Sequence, residues 1–498
     1  MYADIFLRGA IFPTVPGADA LAIRCGRIQA VGKASELQGL IGPDTEVLDL
    51  EGKAVLPGFI DAHTHFVRVG LERTFYVDLS GTKSLEEAMD RLREAARDRA
   101  GEWVMARGWD ESKWPQKRPL KRADLDRVVP RQPCCAVRVD GHLVVCNTLA
   151  LDRCPYPEGR LVDRDAGHLR EDAAWAFLDA VPLDRTALVE AIAAASRRAA
   201  ELGVTAVAEM SGKPEYIQAY QQALKEGKLR TRVFLYLPLE LADHAVELGL
   251  EHGFGGELLR IVGVKAFADG SIGARTAALS SPYRDANDTG TLLLEAEDLA
   301  GIWRRLSHMG LQLAVHAIGD RAIGEVLRAA RLAGISEHGR HRIEHLELPT
   351  EKQLEEMASL GLVASMQPNF VVNWSGPGGL YHERLGPERD SAIDPHSLVL
   401  KYGIPLAFGS DGMPMDPLYG LLGAVAPPHE VQRIPPKEAI RAYTAGAAYA
   451  LFAERELGEL VPGKRADLVI LSDNPLKAPL QRVRVEMTIL GGALIFRR

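Results

Sequence analysis

The chain has 498 residues, 47% of them hydrophobic and 25% charged, which are globular proportions with room for one large core and a smaller one. Its formal net charge of −8 leaves no Lys/Arg excess to displace counterions from a phosphate backbone, which argues against a nucleic-acid partner. Five cysteines, Cys25, Cys134, Cys135, Cys146 and Cys154, form no CxxC pair and no even framework, so neither a disulfide scaffold nor a zinc ribbon is indicated.

The opening stretch MYADIFLRGAIFPTV carries no basic run followed by a long apolar one. Nowhere do about 18 apolar residues run on uninterrupted, as a membrane-spanning helix requires. Reduced thiols, a cytoplasmic location and no membrane partner are therefore expected. The first 55 residues read as short strands, ADIFLRGAIF, DALAIRCGRIQAVG and TEVLDLEGKAVLPG, rich in Val, Ile and Leu and broken by Gly or Asp. The same texture returns in ADLVILSD and VRVEMTILGGALIF. Residues 1–55 with 455–498 are thus expected to pair into one small β-sandwich domain.

Between these pieces, over 56–454, short apolar runs alternate with helical stretches, the pattern of repeated βα units around a parallel sheet. The runs are AVLPGFIDAH, VTAVAEM, RVFLYLPL, RIVGVKAF, LQLAVHAI, HRIEHLEL, LVASMQPNF and IPLAFGSD, eight in all. Amphipathic segments such as TALVEAIAAASRRAAELG and EDLAGIWRRLSHMG supply covering helices. An α/β fold, a (β/α)8 TIM barrel, is expected. The gap after the first run is far longer than one helix, so about 67–185 is expected to hold an inserted subdomain. Within it, GWDESKWPQKRPL reads as a loop or lid at a pocket rim, where Trp109 and Trp114 serve either as contacts to an apolar substrate moiety or as packing anchors.

In such a barrel the chemistry sits at the C-terminal ends of the strands, and the polar residues of this chain fall there. Run one ends in Asp61, His63 and His65; run four carries Lys265 and Asp269; run five ends at His316, run six at His345, run eight at Ser410 and Asp411. His63 and His65 lie on one face of extended backbone and suit a single zinc-like ion. An isolated HxH is as readily a surface pair; joined to two more strand-end histidines and a strand-end aspartate it reads as a metal centre. Asp411 is expected to bind the ion and to accept a proton from its water. His341, Glu344 and His345 spell HxxEH, a zinc-protease pattern on a helix. Here the segment is short and β-like, so His345 is read as the ligand, His341 and Glu344 as structural, with Glu344 on the opposite strand face and available to an outer shell. The ammonium of Lys265 would repel a dication, which leaves a salt bridge to Asp269 or to a substrate carboxylate as its reading from charge alone.

These residues, within PGFIDAHTH, DGHLVVCNTLAL, VKAFADGSIGARTAAL, AVHAIGDRAI, RIEHLELP, SMQPNF, FGSDGMPMDPLYG and GELVPGKRADLVIL, resemble the amidohydrolase superfamily across almost the whole chain. The narrower resemblance is to the amidohydrolase 3 family, which includes N-substituted formamide deformylases. It implies one or two divalent ions per chain, zinc being the one expected, and, where two bind, a Lys265 N-carboxylated to a carbamate that bridges them. On that carry-over His63, His65 and Asp411 hold the buried ion, and His316 and His345 the more exposed one. Gly412 and Met413 depart from the Ala and Pro that similar proteins often carry after the aspartate. The activity implied is hydrolysis of a carbon–nitrogen bond other than a peptide bond, in an amide or N-substituted formamide, by metal-activated hydroxide. One-metal deamination, ester or lactone hydrolysis, and an inactive barrel scaffold are the alternatives. His142 in DGHLVV is the candidate for orienting a small-molecule substrate, and Arg275 either contacts an anionic group or ties down the loop after run four. A homodimer is compatible with this reading.

Overall fold

In the computed structural model, residues 1–98, 103–139, 141, 143–156, 158–159, 161–210 and 213–498 are described. Two compact units make up the chain: residues 1–69 with 195–498, and residues 70–194.

The first unit is built on eight parallel strands, each hydrogen-bonded to the next in chain order. They are β1 (Phe59–Thr64), β2 (Val204–Met210), β3 (Arg232–Pro238), β4 (Leu259–Phe267), β5 (Gln312–Ala317), β6 (Arg342–His345), β7 (Val363–Met366) and β8 (Leu406–Phe408). Parallel neighbours need a crossover, and helices such as Pro214–Lys225, Ala296–His308, Asp320–Ala333 and Glu351–Ser359 supply it. Their ends follow from local chemistry. The Thr350 and Gln353 side chains form a capping box at the start of Glu351–Ser359, and Gly334 at φ 64° stops Asp320–Ala333. The latter helix buries Ile323, Val326, Leu327 and Ala330, three or four residues apart, against the sheet. The result is a nearly closed TIM barrel, whose last strand returns to the first where the backbone N–H groups of Ser410 and Asp411 donate to the His63 carbonyl.

Two four-stranded sheets lie outside the barrel strands in this unit. One joins Arg27–Gly32, Ala20–Arg24, Ile5–Arg8 and Glu46–Asp49; the other joins Ala493–Arg497, Val485–Leu490, Leu468–Leu471 and Ala54–Pro57. They share a core of Leu7, Leu21, Ile23, Leu468, Ile470 and Ile489, so both chain termini contribute to one sandwich. The run from residue 54, read from sequence as one strand, is two. Ala54–Pro57 pairs with Leu468–Leu471 in the sandwich, and after Gly58 the chain enters β1. A buried ion pair, Arg232 of β3 with Asp467 at 2.6 and 3.0 Å, joins barrel to sandwich.

The second unit carries a six-stranded sheet with apolar clusters on alternate residues of its strands: Cys134 and Ala136 in one, Cys135 and Val137 in the other. Among the described residues no helix is long and apolar enough to cross a membrane.

Candidate metal centre

Closure of the barrel seam positions the first group of ligands. Asp61 accepts a hydrogen bond from the Ser410 N–H at 2.9 Å and another from the Ser410 hydroxyl, while Ser410 and Asp411 donate to the His63 carbonyl at 3.0 and 2.7 Å. So close an approach requires glycine at 409, where a Cβ would lie 2.4 Å from the His63 backbone nitrogen. Asp411 then adopts φ 53°, a conformation a non-glycine residue keeps only when its surroundings demand it. Its Oδ1 comes to 3.1 Å from His65 Nε2 and 3.6 Å from His63 Nε2. One ligand atom from each of His63, His65 and Asp411 lies within 4.8 Å of the others. Burial would raise the Asp411 carboxyl, but the adjoining His65 imidazole holds it well below the usual carboxylate range.

His345 reaches the same place by a backbone turn. It and Leu346 take φ 72° and 52°, so the strand alternation breaks at His345. Its ring centroid lies 4.8 Å from that of His63 and 4.4 Å from that of His316. His316 donates through Nε2 to the Gly270 carbonyl at 2.9 Å. Burial lowers the His316 imidazole to about 3 and keeps that of His345 well below its ordinary value, so both are neutral, the form that offers a lone pair. Lys265, on β4, is buried with Nζ 4.0 Å from the centroid of the Phe267 ring. Burial brings its amine down to about 8.

The residues present fit a divalent ion. His345 Nδ1 and Lys265 Nζ are buried with no hydrogen-bond partner among the described residues, an arrangement that costs free energy unless something else satisfies them. Imidazole nitrogens with a carboxylate are also the donor set that zinc-like ions take. Among the His, Cys, Asp and Glu side chains of the described residues the tight three-ligand group is His63, His65 and Asp411, and His316 and His345 form no second such group.

Several residues support these ligands; Glu344, Asp269 and His341 stand out in the sequence, whereas Arg342 and Glu209 carry little signal there. Glu344 accepts from His63 Nδ1 at 2.6 Å, and its carboxylate is held bidentate by Arg342 at 2.7 and 2.9 Å. Burial would raise Glu344, but Arg342 and His63 keep it ionised. Glu209, at the end of β2, accepts from the Phe66 and Val67 N–H groups at 2.7 and 3.3 Å and from the Tyr220 hydroxyl at 2.6 Å, fixing the helix start that follows His65. Asp269 accepts from the Ala278, Ile318 and Gly319 N–H groups, tying together the loops after β4 and β5. It makes no hydrogen bond to Lys265 Nζ. His341 accepts the Leu313 N–H at 2.9 Å, the structural part expected of it.

The remaining candidates separate. Trp109 is fully buried in the second unit, stacked on Trp114 at 5.9 Å, with its indole N–H on the Ala136 carbonyl, so it sits in a core and not at a rim. Arg275 forms a two-bond pair with Asp285 at 3.0 and 2.7 Å, which ties down the loop after β4. His142 lies outside the described residues.

Comparison with known proteins adds the family. The model described as "Amidohydrolase family" matches residues 46–496. The protein LONG AFTER FAR-RED 3 of Arabidopsis thaliana is 32% identical, over 95% of this chain and 88% of its own length. The N-substituted formamide deformylase of Arthrobacter pascens is 26% identical, over 97% and 95%. A crystal structure of an uncharacterized metal-dependent hydrolase from Pyrococcus furiosus superposes with a TM-score of 0.83 at 32% identity, covering 95% of this chain and all of that one.

Proposed function

The chain belongs to the amidohydrolase family and is a metal-dependent hydrolase, and from that premise we propose that it cleaves a carbon–nitrogen bond other than a peptide bond, in an amide or N-substituted formamide. The observation that carries the proposal is the convergence of His63, His65 and Asp411 within 4.8 Å, beside buried Lys265 and His345. The name of the Arthrobacter relative supports the substrate class.

His63, His65 and Asp411 would hold one zinc ion, with His316 and His345 holding a second. Lys265 would join the two as its N-carboxylate. An amine brought down to about 8 is in part uncharged near neutral pH, and the uncharged amine is the form that attacks carbon dioxide. When bound, the metal supplies a Lewis acid that polarises the carbonyl and lowers the pKa of water. Asp411 takes a proton from the attacking water and returns it to the departing nitrogen. His142 orients the substrate, and loss of substrate affinity in His142→Ala is the check on that role. The thiols are all free, in keeping with a cytoplasmic setting, and we assign 1–55 with 455–498 to a sandwich domain and 56–454 to the hydrolase barrel with an inserted subdomain at about 67–185.

The test is metal per chain by elemental analysis, on protein purified without chelator and with bicarbonate, followed by a panel of N-substituted formamides, N-acyl amines and lactones. Bound metal with amide hydrolysis supports the proposal. Ammonia release from amines but not amides would replace it with deamination, and protein that takes up no metal even on reconstitution would point to an inactive scaffold.

A further inference from the structure

Below the metal centre, four side chains that an apolar barrel interior would not select form a continuous chain of hydrogen bonds. Gln312, Tyr236, Arg342 and Glu344, from β5, β3 and β6, are all fully buried. The polarity of every link can be assigned. The Gln312 amide nitrogen faces two carbonyl oxygens, those of Arg340 and of Ala450, the latter at 3.0 Å. Its Oε1 therefore has only the acceptor role, and the Tyr236 hydroxyl donates to it. With its proton committed, the Tyr236 oxygen accepts from Arg342 Nη1 at 2.9 Å. Arg342 carries donors alone: Nε and Nη2 go to the two Glu344 oxygens, and Nη2 also faces the Ala62 carbonyl at 2.6 Å and Ser365 Oγ at 2.8 Å. A carboxylate held this way can only accept. The Glu344 Oε2 contact to His63 Nδ1 at 2.6 Å accordingly places the imidazole proton on Nδ1.

The backbone makes room for the chain. A Cβ at Gly263 would lie 2.9 Å from Tyr236 Cε1 and 2.2 Å from the Gln312 carbonyl, so only glycine lets the tyrosine and the start of β5 pack here. Arg342 also grips the Ala62 carbonyl, one residue before His63, so the same guanidinium fixes the strand that carries the imidazole and the carboxylate that orients it.

We propose that Arg342, acting through Glu344, is a positioning residue that locks His63 as the Nδ1–H tautomer, leaving the Nε2 lone pair directed at the ion. The inference rests on the metal-centre reading for its consequence but not for its content, since the tautomer is set by contacts within the protein. Outer partners of metal-bound histidines act in this way elsewhere, raising ligand basicity and fixing the ring.

Two measurements test it. In Glu344→Gln one amide group must oppose either Arg342 or His63, and zinc affinity, read by competition with a chromophoric chelator, is expected to weaken by about 10–100-fold. In the unsubstituted, metal-free protein with ring-¹⁵N-labelled histidine, the His63 resonances, identified by their loss in His63→Gln, are expected to show a protonated Nδ1 and an unprotonated Nε2. The NMR arm needs no variant to fold and no metal to bind. A proton on Nε2, or zinc affinity unchanged in a folded Glu344→Gln protein, overturns the proposal. Wild-type protein that binds no zinc overturns the metal reading instead, and the tautomer still decides the inference.

Discussion

Replacing Lys265 with methionine should stabilise the metal-free protein while destroying its metal chemistry. The amine is fully buried, has no hydrogen-bond partner among the described residues, and is pushed by burial from 10.5 to about 8. That gap corresponds to about 3 kcal/mol of penalty on the charged form. Below pH 8 the ammonium is protonated in both folded and unfolded chains, so the folded state bears the whole penalty. Between about 8 and 10.5 the unfolded chain holds a proton that the folded chain has lost, and stability rises with pH. Above 10.5 both forms are neutral and the difference vanishes. Methionine matches lysine in length, leaves no large cavity and removes the charge. For a chain of 498 residues the unfolding entropy is about 1 kcal/mol per kelvin, so Lys265→Met should melt about 3 °C higher at pH 7. The assay is differential scanning calorimetry of chelator-treated, bicarbonate-free protein from pH 7 upward. A variant no more stable than wild type at pH 7, or an advantage that does not shrink as the pH rises towards 10.5, would refute the reasoning.

Other outcomes follow from the same geometry. Asp411→Asn keeps the shape of the side chain but removes the proton acceptor, and turnover should fall by about 10²-fold or more while bound metal, measured by elemental analysis, is largely retained. Gly409→Ala would set a Cβ 2.4 Å from the His63 nitrogen, so the seam must open; loss of metal binding is expected, and wild-type metal content would show that the seam does not place His63. Asp467→Ala leaves the Arg232 guanidinium buried without its carboxylate and should cost about 3–5 kcal/mol in urea denaturation.

The strand-end histidines were legible because two independent regularities coincide at them: the period of an apolar run and the rule that a barrel works at its C-terminal face. Where only one regularity acts, reading fails. The run from residue 54 is interrupted at Pro57 and Gly58, a local turn signal, but nothing local marks that Ala54–Pro57 pairs with Leu468–Leu471 at the far end of the chain. Trp109 lies among charged residues, a pattern that suits a rim as well as it suits a core, and the sheet that buries it is built from strands on both sides in sequence.

Residues 342–345 show why the site's support is harder to read than its ligands. Strict alternation puts Glu344 and His345 on opposite faces, which would send one of them away from the metal. Both reach His63: Glu344 through the barrel interior and His345 because the chain turns to φ 72° there. The sequence shows the alternation but not the turn, since no glycine or asparagine announces a positive φ at a histidine. A similar limit hides the interior chain. Tyr236, Gln312 and Arg342 each look like an isolated polar residue in an apolar strand, costly if buried alone. Their meaning is a property of the layer, because each satisfies a residue on a different strand. Periodicity within one strand reports which face a residue takes, and it is silent on what stands across the barrel. The ligands can therefore be found one strand at a time, whereas the residues that aim them appear only once the strands have closed into a ring.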